Sequence, residues 1–209
     1  MAVSFDLFGT LVAVDRPADP ATAVGRELEA LGHPIPSGWA TAYRSPQVEV
    51  PEGVEVSLLE HVRAILRSDG PAGAPDERTV RRALLRAFDT DVRTRPGAER
   101  AVAAAAEHGP VGVLSNCSVP GLVARTLDRS TLDPGRFDAV LASVDIGWRK
   151  PHRRAFETVA DRLGVRIDEL LHVGDDPRTD GGATDAGARA VLLESVPLAD
   201  VPEHLGPTG

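Results

Sequence analysis

Five short apolar runs constrain this chain more than any other feature: Val3–Phe5, Val111–Leu114, Ala139–Ala142, Leu170–Val173 and Ala190–Leu193. Each has the length of a buried strand, and stretches of helical pattern separate the later ones. Pro96-Gly97 leads into AERAVAAAAEHG, a run of strong helix formers closed by Gly109. Pro120 precedes GLVARTLDRS. Pro151 precedes a helix with Ala155, Phe156, Val159 and Leu163 on one face, ended by Gly164. Strands and helices in alternation predict an α/β fold with a doubly wound parallel sheet.

The gap between the first two runs is too long for a simple connection, because structureless loops beyond about 15 residues are uncommon. Its pattern is helical. Asp19-Pro20 reads as an N-cap and a helix-starting proline before a stripe of Val24, Leu28 and Leu31, stopped by Gly32. Ser57 and Glu60 have capping-box spacing ahead of Val62, Ile65 and Leu66, and Asp76 precedes Val80, Leu84 and Phe88. The stretch 34–53, with Pro34, Pro36, Pro46 and Pro51, is expected to be irregular. Residues 14–94 are therefore expected to form a small helical unit over the sheet edge, with 1–13 and 95–209 making the core.

Composition narrows the function classes. With 42% apolar and 26% charged residues the chain reads as soluble and globular. No apolar run approaches the roughly 18 residues needed to span a bilayer. Asp6 interrupts the first apolar stretch and no basic flank precedes it, so no signal or transit peptide is expected. The single cysteine, Cys117, excludes an intrachain disulfide and fits a reducing, cytoplasmic setting. A net charge of −8 argues against nucleic acid or an anionic membrane as the main partner. Of the 23 basic residues 22 are Arg, and Lys150 alone is Lys. A chain that uses Arg almost everywhere keeps a lysine where a compact ammonium is needed and a planar guanidinium does not fit.

In open parallel sheets, ligands bind outside the carboxyl ends of the strands. Here those ends carry chemistry. The first run ends in Asp6 and the second in Ser115-Asn116. Lys150 follows the third, and the fourth ends in GDDPRTD, Gly174 to Asp180. Each residue has a structural alternative. Asp6 could cap a turn, Ser115 could be a core hydroxyl, and Asp175, Asp176 and Asp180 could favour a helix N-terminus. Four strand ends that all carry the right residue type favour a shared crevice. Cys117 reads as a buried apolar side chain rather than a nucleophile. His152 reads as a solvated helix start, and Trp148 and Arg149 as packing and surface residues.

The segments DLFGTL, LSN, WRKP and VGDDPRTD, in this order and spacing, resemble the haloacid dehalogenase-like hydrolase superfamily over nearly the whole chain. The resemblance implies a Rossmann-like core with an inserted helical cap of the C1 type. It also implies roles. Asp6 matches the nucleophile that forms a covalent aspartyl intermediate. Ser115 matches a hydroxyl that binds a substrate oxygen, with Asn116 beside it. Lys150 matches the ammonium that neutralises the nucleophile and the developing charge. Asp6, Asp175 and the backbone carbonyl of Phe8 match the ligands of Mg²⁺. Asp180 and Asp176 match supporting acids. The implied substrate is a small phosphorylated molecule.

Phe8 departs from the pattern. Many phosphatases of this superfamily have aspartate there to protonate the leaving alcohol and activate water, and Phe8 cannot move a proton. Two alternatives therefore stand beside a Mg²⁺-dependent phosphatase: a 2-haloacid dehalogenase or related carbon-centred hydrolase using the same Asp6, and a weakly active or non-catalytic binding protein.

Overall fold

The five apolar runs form one sheet. A computed structural model describes residues 1–47, 49–68 and 74–206. Its strands are, in chain order, Ala2–Phe5 (β1), Val12–Val14 (β2), Val92–Thr94 (β3), Val111–Ser115 (β4), Ala139–Ala142 (β5), Leu170–Gly174 (β6) and Arg189–Leu192 (β7). The main sheet has the order β5-β4-β1-β6-β7, and every neighbouring pair is parallel. Side chains alternate across it, as the pleat requires. Val3, Phe5, Val111, Val113, Leu171 and Val173 enter one buried cluster; Ala2, Leu114 and Leu170 enter the other.

The helices are Pro20–Ala30 (α1), Trp39–Arg44 (α2), Leu58–Ser68 (α3), Glu77–Ala87 (α4), Ala98–His108 (α5), Leu122–Arg129 (α6), Ser143–Ile146 (α7), Arg153–Arg162 (α8), Gly182–Asp185 (α9) and Val201–His204 (α10). On one face of the sheet α5 supplies Ala98, Ala101, Val102 and Ala105, small residues that allow close approach. On the other, α8 buries Ala155, Phe156 and Val159. Full burial of a side chain such as Phe156 contributes roughly 1.5–3 kcal/mol. No described helix is long and apolar enough to cross a membrane.

The helices α1 to α4 lie between β2 and β3, as the helical pattern predicts. Asp19 caps α1 by accepting from the Ala21 N–H at 3.2 Å, and Asp76 caps α4 by accepting from the Thr79 N–H at 2.7 Å. Helix α1 packs on α4 through Val24 and Leu28 against Val80 and Leu84, all fully buried. At α3 the reciprocal capping box is replaced by a backbone bond alone, with the Ser57 carbonyl accepting from the His61 N–H.

Two features differ from the sequence expectation. The first is α2, which lies inside the proline-rich stretch expected to be irregular; Val48 of that stretch is outside the described residues, as are residues 69–73 of the insert. Gly38 at φ 81° turns the chain into α2, a conformation that carries no steric cost for glycine. Trp39 then anchors the helix, because its indole N–H donates to the Ala21 carbonyl at 2.8 Å inside the core. The second is an antiparallel ribbon of β2 and β3, pairing Val12 with Thr94 and Val14 with Val92. The outgoing and returning chain passages are thereby stitched together where the insert leaves the sheet.

Trp39→Ala removes both the buried ring and its hydrogen bond. It is expected to lower stability by about 3–5 kcal/mol, read as a fall in the urea midpoint; an unchanged midpoint would show that α2 is not an anchor.

Candidate active site

Three strand ends, those of β1, β4 and β6, position site groups directly. Asp6 follows β1, and its N–H donates to the Val173 carbonyl at 2.9 Å, so the β1–β6 ladder fixes its backbone. Ser115 is the last residue of β4. Lys150 arrives on the loop after α7 and is clamped by Asn116. The Lys150 N–H donates to Asn116 Oδ1 at 2.8 Å, and Asn116 Nδ2 donates to the Lys150 carbonyl at 2.9 Å. Both ends of the Asn116 amide are thus engaged in holding the lysine backbone.

Lys150 is buried, with 2% of its surface exposed. Its Nζ donates to Asp6 Oδ1 at 2.9 Å and to Asp180 Oδ1 at 2.6 Å. An ammonium has three protons, so one is left without a partner among the described residues. Burial alone would push the lysine pKa down, but the two carboxylates outweigh it and hold the ammonium charged.

Asp180 is the most heavily bonded of the clustered acids Asp6, Asp175 and Asp180. Besides Lys150, its Oδ1 accepts from His172 Nε2 at 3.0 Å and its Oδ2 accepts from the Asp176 N–H at 3.0 Å. Burial pushes this carboxyl upward, yet the His172 hydrogen bond and the Lys150 charge hold it well below the usual carboxylate range. His172 is fully buried and its pKa is lowered, first by burial and then by Lys150. A neutral imidazole that faces a carboxylate must carry its proton on Nε2. Its Nδ1 then accepts from the Ser4 hydroxyl, 2.8 Å away and directly opposite on β1.

Asp175 stands apart from this network. The Thr10 hydroxyl donates to its Oδ1 at 3.0 Å, and no cation pairs with it among the described residues. Its pKa is raised by burial, with the Asp6 and Asp180 charges adding to the effect against the Thr10 bond. Gly9, at φ 99°, lets the backbone pass here: a Cβ would overlap the Asp175 carboxylate. Arg95 donates to the Gly9 carbonyl and holds that turn. Gly174 has a parallel duty, since a Cβ there would overlap Asp180.

One oxygen each from Asp6, Asp175 and Asp180 lies within 4.8 Å of the others. Three carboxylates against one ammonium leave two negative charges uncompensated, and hard oxygen donors of this kind suit a divalent cation. Asp180 already accepts three hydrogen bonds, whereas Asp6 and Asp175 accept one each among the described residues, so those two have the most capacity to spare. The Phe8 carbonyl also accepts no hydrogen bond among the described residues. The Ser115 hydroxyl is buried without any hydrogen-bond partner, an arrangement that costs roughly 1–3 kcal/mol unless a ligand satisfies it.

The remaining candidates separate from the cluster. Asp176 is paired with exposed Arg178 at 3.0 Å. Cys117 is buried, and burial pushes its thiol up to about 11, which leaves it protonated. His152 caps α8 by accepting from the Arg154 N–H at 3.3 Å and stacks on Trp148 with ring centres 4.3 Å apart. Sequence reasoning missed Ser4, His172, Thr10 and Arg95. The signal for the first two was a polar residue inside an otherwise apolar strand.

An open parallel sheet with an acidic nucleophile candidate, a buried ammonium and a spare carboxylate at its carboxyl edge defines a hydrolase-type crevice. The profile of haloacid dehalogenase-like hydrolases matches residues 1–187, and the chain belongs to that family. It is 33% identical over 171 residues to a phosphoserine phosphatase of Thermus thermophilus, a match spanning 79% of this chain and 66% of that relative's length. It is 29% identical over 199 residues to a phosphoglycolate phosphatase of Photorhabdus laumondii, covering 92% of this chain and 79% of the relative. Its fold is similar to that of an L-2-haloacid dehalogenase structure, with a TM-score of 0.59 at 20% identity over 98% of this chain and 97% of that one.

Asp180→Ala would leave Lys150 short of a carboxylate in a buried setting. Such a loss is expected to cost about 3–5 kcal/mol, against a far smaller effect from Asp176→Ala, whose partner is exposed. Urea unfolding of the two variants checks this; equal effects would mean that the buried network is not the structural hub.

Proposed function

We propose that this chain is a divalent-cation-dependent phosphomonoesterase acting through an aspartyl phosphate on Asp6. The observation that carries the reading is Asp6 itself: one oxygen is held at 2.9 Å by buried Lys150, and Asp175 lies beside it without a cation. Several matching sequence relatives are phosphatases by name, on phosphoserine, phosphoglycolate and glyceraldehyde 3-phosphate among others, which supports the reaction but no one substrate.

In this reading the free Asp6 oxygen attacks phosphorus, a P–O bond to Asp6 forms, and the P–O bond to the leaving oxygen breaks. Water then cleaves the acyl phosphate and releases inorganic phosphate. Lys150 balances the Asp6 charge, and its third proton meets a phosphoryl oxygen. The Ser115 hydroxyl donates to another, which relieves its buried isolation. Asn116 and Asp180 position Lys150, and Asp176 supports the turn. Asp6, Asp175 and the Phe8 carbonyl would hold Mg²⁺, which when bound supplies positive charge against that of the phosphoryl group. The insert, residues 14–94, acts as a C1-type cap on the core of 1–13 and 95–209.

A second reading rests on Phe8. Halide leaves without a proton, so a 2-haloacid dehalogenase needs no acid at that position. Against it, the uncompensated charge of Asp6 and Asp175 would repel a substrate carboxylate.

Two outcomes test the proposal. Phosphatase activity is expected to vanish on chelation, to return with Mg²⁺ and to be abolished in Asp6→Asn. Chloride release from a 2-chloroacid by metal-stripped protein would instead establish the dehalogenase. Because Phe8 supplies no proton, rates are also expected to depend steeply on leaving-group pKa, with aryl phosphates cleaved well and alkyl phosphates poorly. Phe8→Asp is expected to raise alkyl rates by up to about 10²-fold, the lower end of general acid–base help. Equal wild-type rates on both, with chemistry limiting, would show that another group provides the proton.

A further inference from the structure

A pocket of about 300 Å³ opens between the insert and the core. It shares Phe8 with the loop that carries Asp6, and Asn116 with the end of β4 that carries Ser115. It therefore begins where the phosphoryl site ends. Its walls are mainly apolar, with Phe8, Val14, Phe88, Val119 and Leu122 contributing from both units. The volume lies at the small end of the range for ligand pockets.

Its charges are unevenly committed. Asp89, the carboxylate on the wall, is paired with Arg125 at 2.7 Å and also with Arg129. Arg16 has no carboxylate partner among the described residues. It is exposed, and its guanidinium lies over the Phe8 ring, 5.9 Å from the centroid. Arg16 and Phe8 both line the pocket, so a ligand with its apolar body in the pocket beside Phe8 would bring an anionic substituent within reach of Arg16.

We propose that this pocket receives the leaving group, and that the substrate class is an aryl phosphate whose ring carries a second anionic group read by Arg16. This rests on the phosphatase reading and deepens it. Phe8 is then a wall of the specificity pocket as well as a missing acid. An aryl leaving group satisfies both conditions: it packs flat on an aromatic wall, and it departs as a stabilised anion. The carboxylate supplies the partner that Arg16 lacks, in the fork geometry that guanidinium favours.

The test compares 3-carboxyphenyl phosphate with its neutral counterpart, 3-hydroxymethylphenyl phosphate, on the full chain with Mg²⁺. Wild type is expected to favour the carboxylate in kcat/KM by about tenfold, as one charged hydrogen-bonded contact allows. In Arg16→Gln that ratio is expected to fall to within about twofold, and in Arg16→Lys part of it should return, since a point charge replaces only some of the fork. The ratio is taken within each variant, so a general loss of activity does not disturb it. Equal wild-type kcat/KM for the two esters, or a preference that survives Arg16→Gln, would overturn the pocket assignment while leaving the phosphatase intact. If neither ester is hydrolysed, the phosphatase reading itself fails. Calorimetric binding of both esters to wild type and Arg16→Gln then still decides the pocket, with a preference for the carboxylate that depends on Arg16 supporting it and equal affinities overturning it.

Discussion

The Lys150 ammonium, held between Asp6 and Asp180, is the interaction on which the site depends. Burying an unpaired ammonium costs several kcal/mol, and only well-placed carboxylates offset it. Their placement draws on the whole central sheet. Asp6 is set by β1, Asp180 by the turn after β6, and Lys150 by the Asn116 clamp at the end of β4. Behind them Ser4 and His172 complete a chain of hydrogen bonds from β1 through β6 to the lysine. A guanidinium would have to spread its five donors where three are placed. In a chain with 22 arginines, that is a physical reason for the one lysine.

The insert is attached to the loops that carry the site. The Leu58 N–H donates to the Ser118 carbonyl at 2.9 Å, just past Ser115 and Asn116. The Glu55 N–H donates to the Gly147 carbonyl, and the Arg149 N–H donates to the Gly53 carbonyl, on the two sides of an isolated bridge between Val54 and Trp148. The Ser143 hydroxyl adds a bond to Glu55 Oε2 at 2.5 Å. Backbone bonds of this kind fix the loop immediately before Lys150 against the strap 53–58.

What the sequence made legible follows from range. The five strands were visible because each is a short, mostly apolar run, with β1, β4 and β6 buried throughout, and the capped helices because Asp19 and Asp76 act on neighbours within three residues. The candidate residues that the structure brings together were visible because parallel sheets gather side chains at strand ends. The β2–β3 ribbon was not, since its strands are only three residues each, of mixed burial, and pair across the whole insert. Helix α2 was hidden because Gly38 and the prolines around it read as breakers, while the force that orders the helix is a tertiary bond from Trp39 to Ala21. Ser4 and His172 were hidden for a similar reason. A polar residue in a buried strand has meaning only once its opposite number in the register is known.

On the proposed reading, Phe8 puts a wall where an acid would stand, and magnitudes show that the exchange would be tolerable for one kind of substrate. General acid–base help amounts to about 10²–10⁴ in rate, or roughly 3–5 kcal/mol. A phenol has a pKa near 10, whereas water and simple hydroxyls lie near 16. If about half of that difference of roughly six units is expressed in the barrier, an aryl leaving group gains on the order of 10³ by itself. That matches what the missing acid would have contributed. Contact between the ring and an apolar pocket adds affinity, but equal binding of ground and transition states does not raise kcat. In the proposed reading a wall at Phe8 would select which leaving groups are held, while their own pKa would decide which of them depart, and the two filters would agree only for a flat, acidic alcohol.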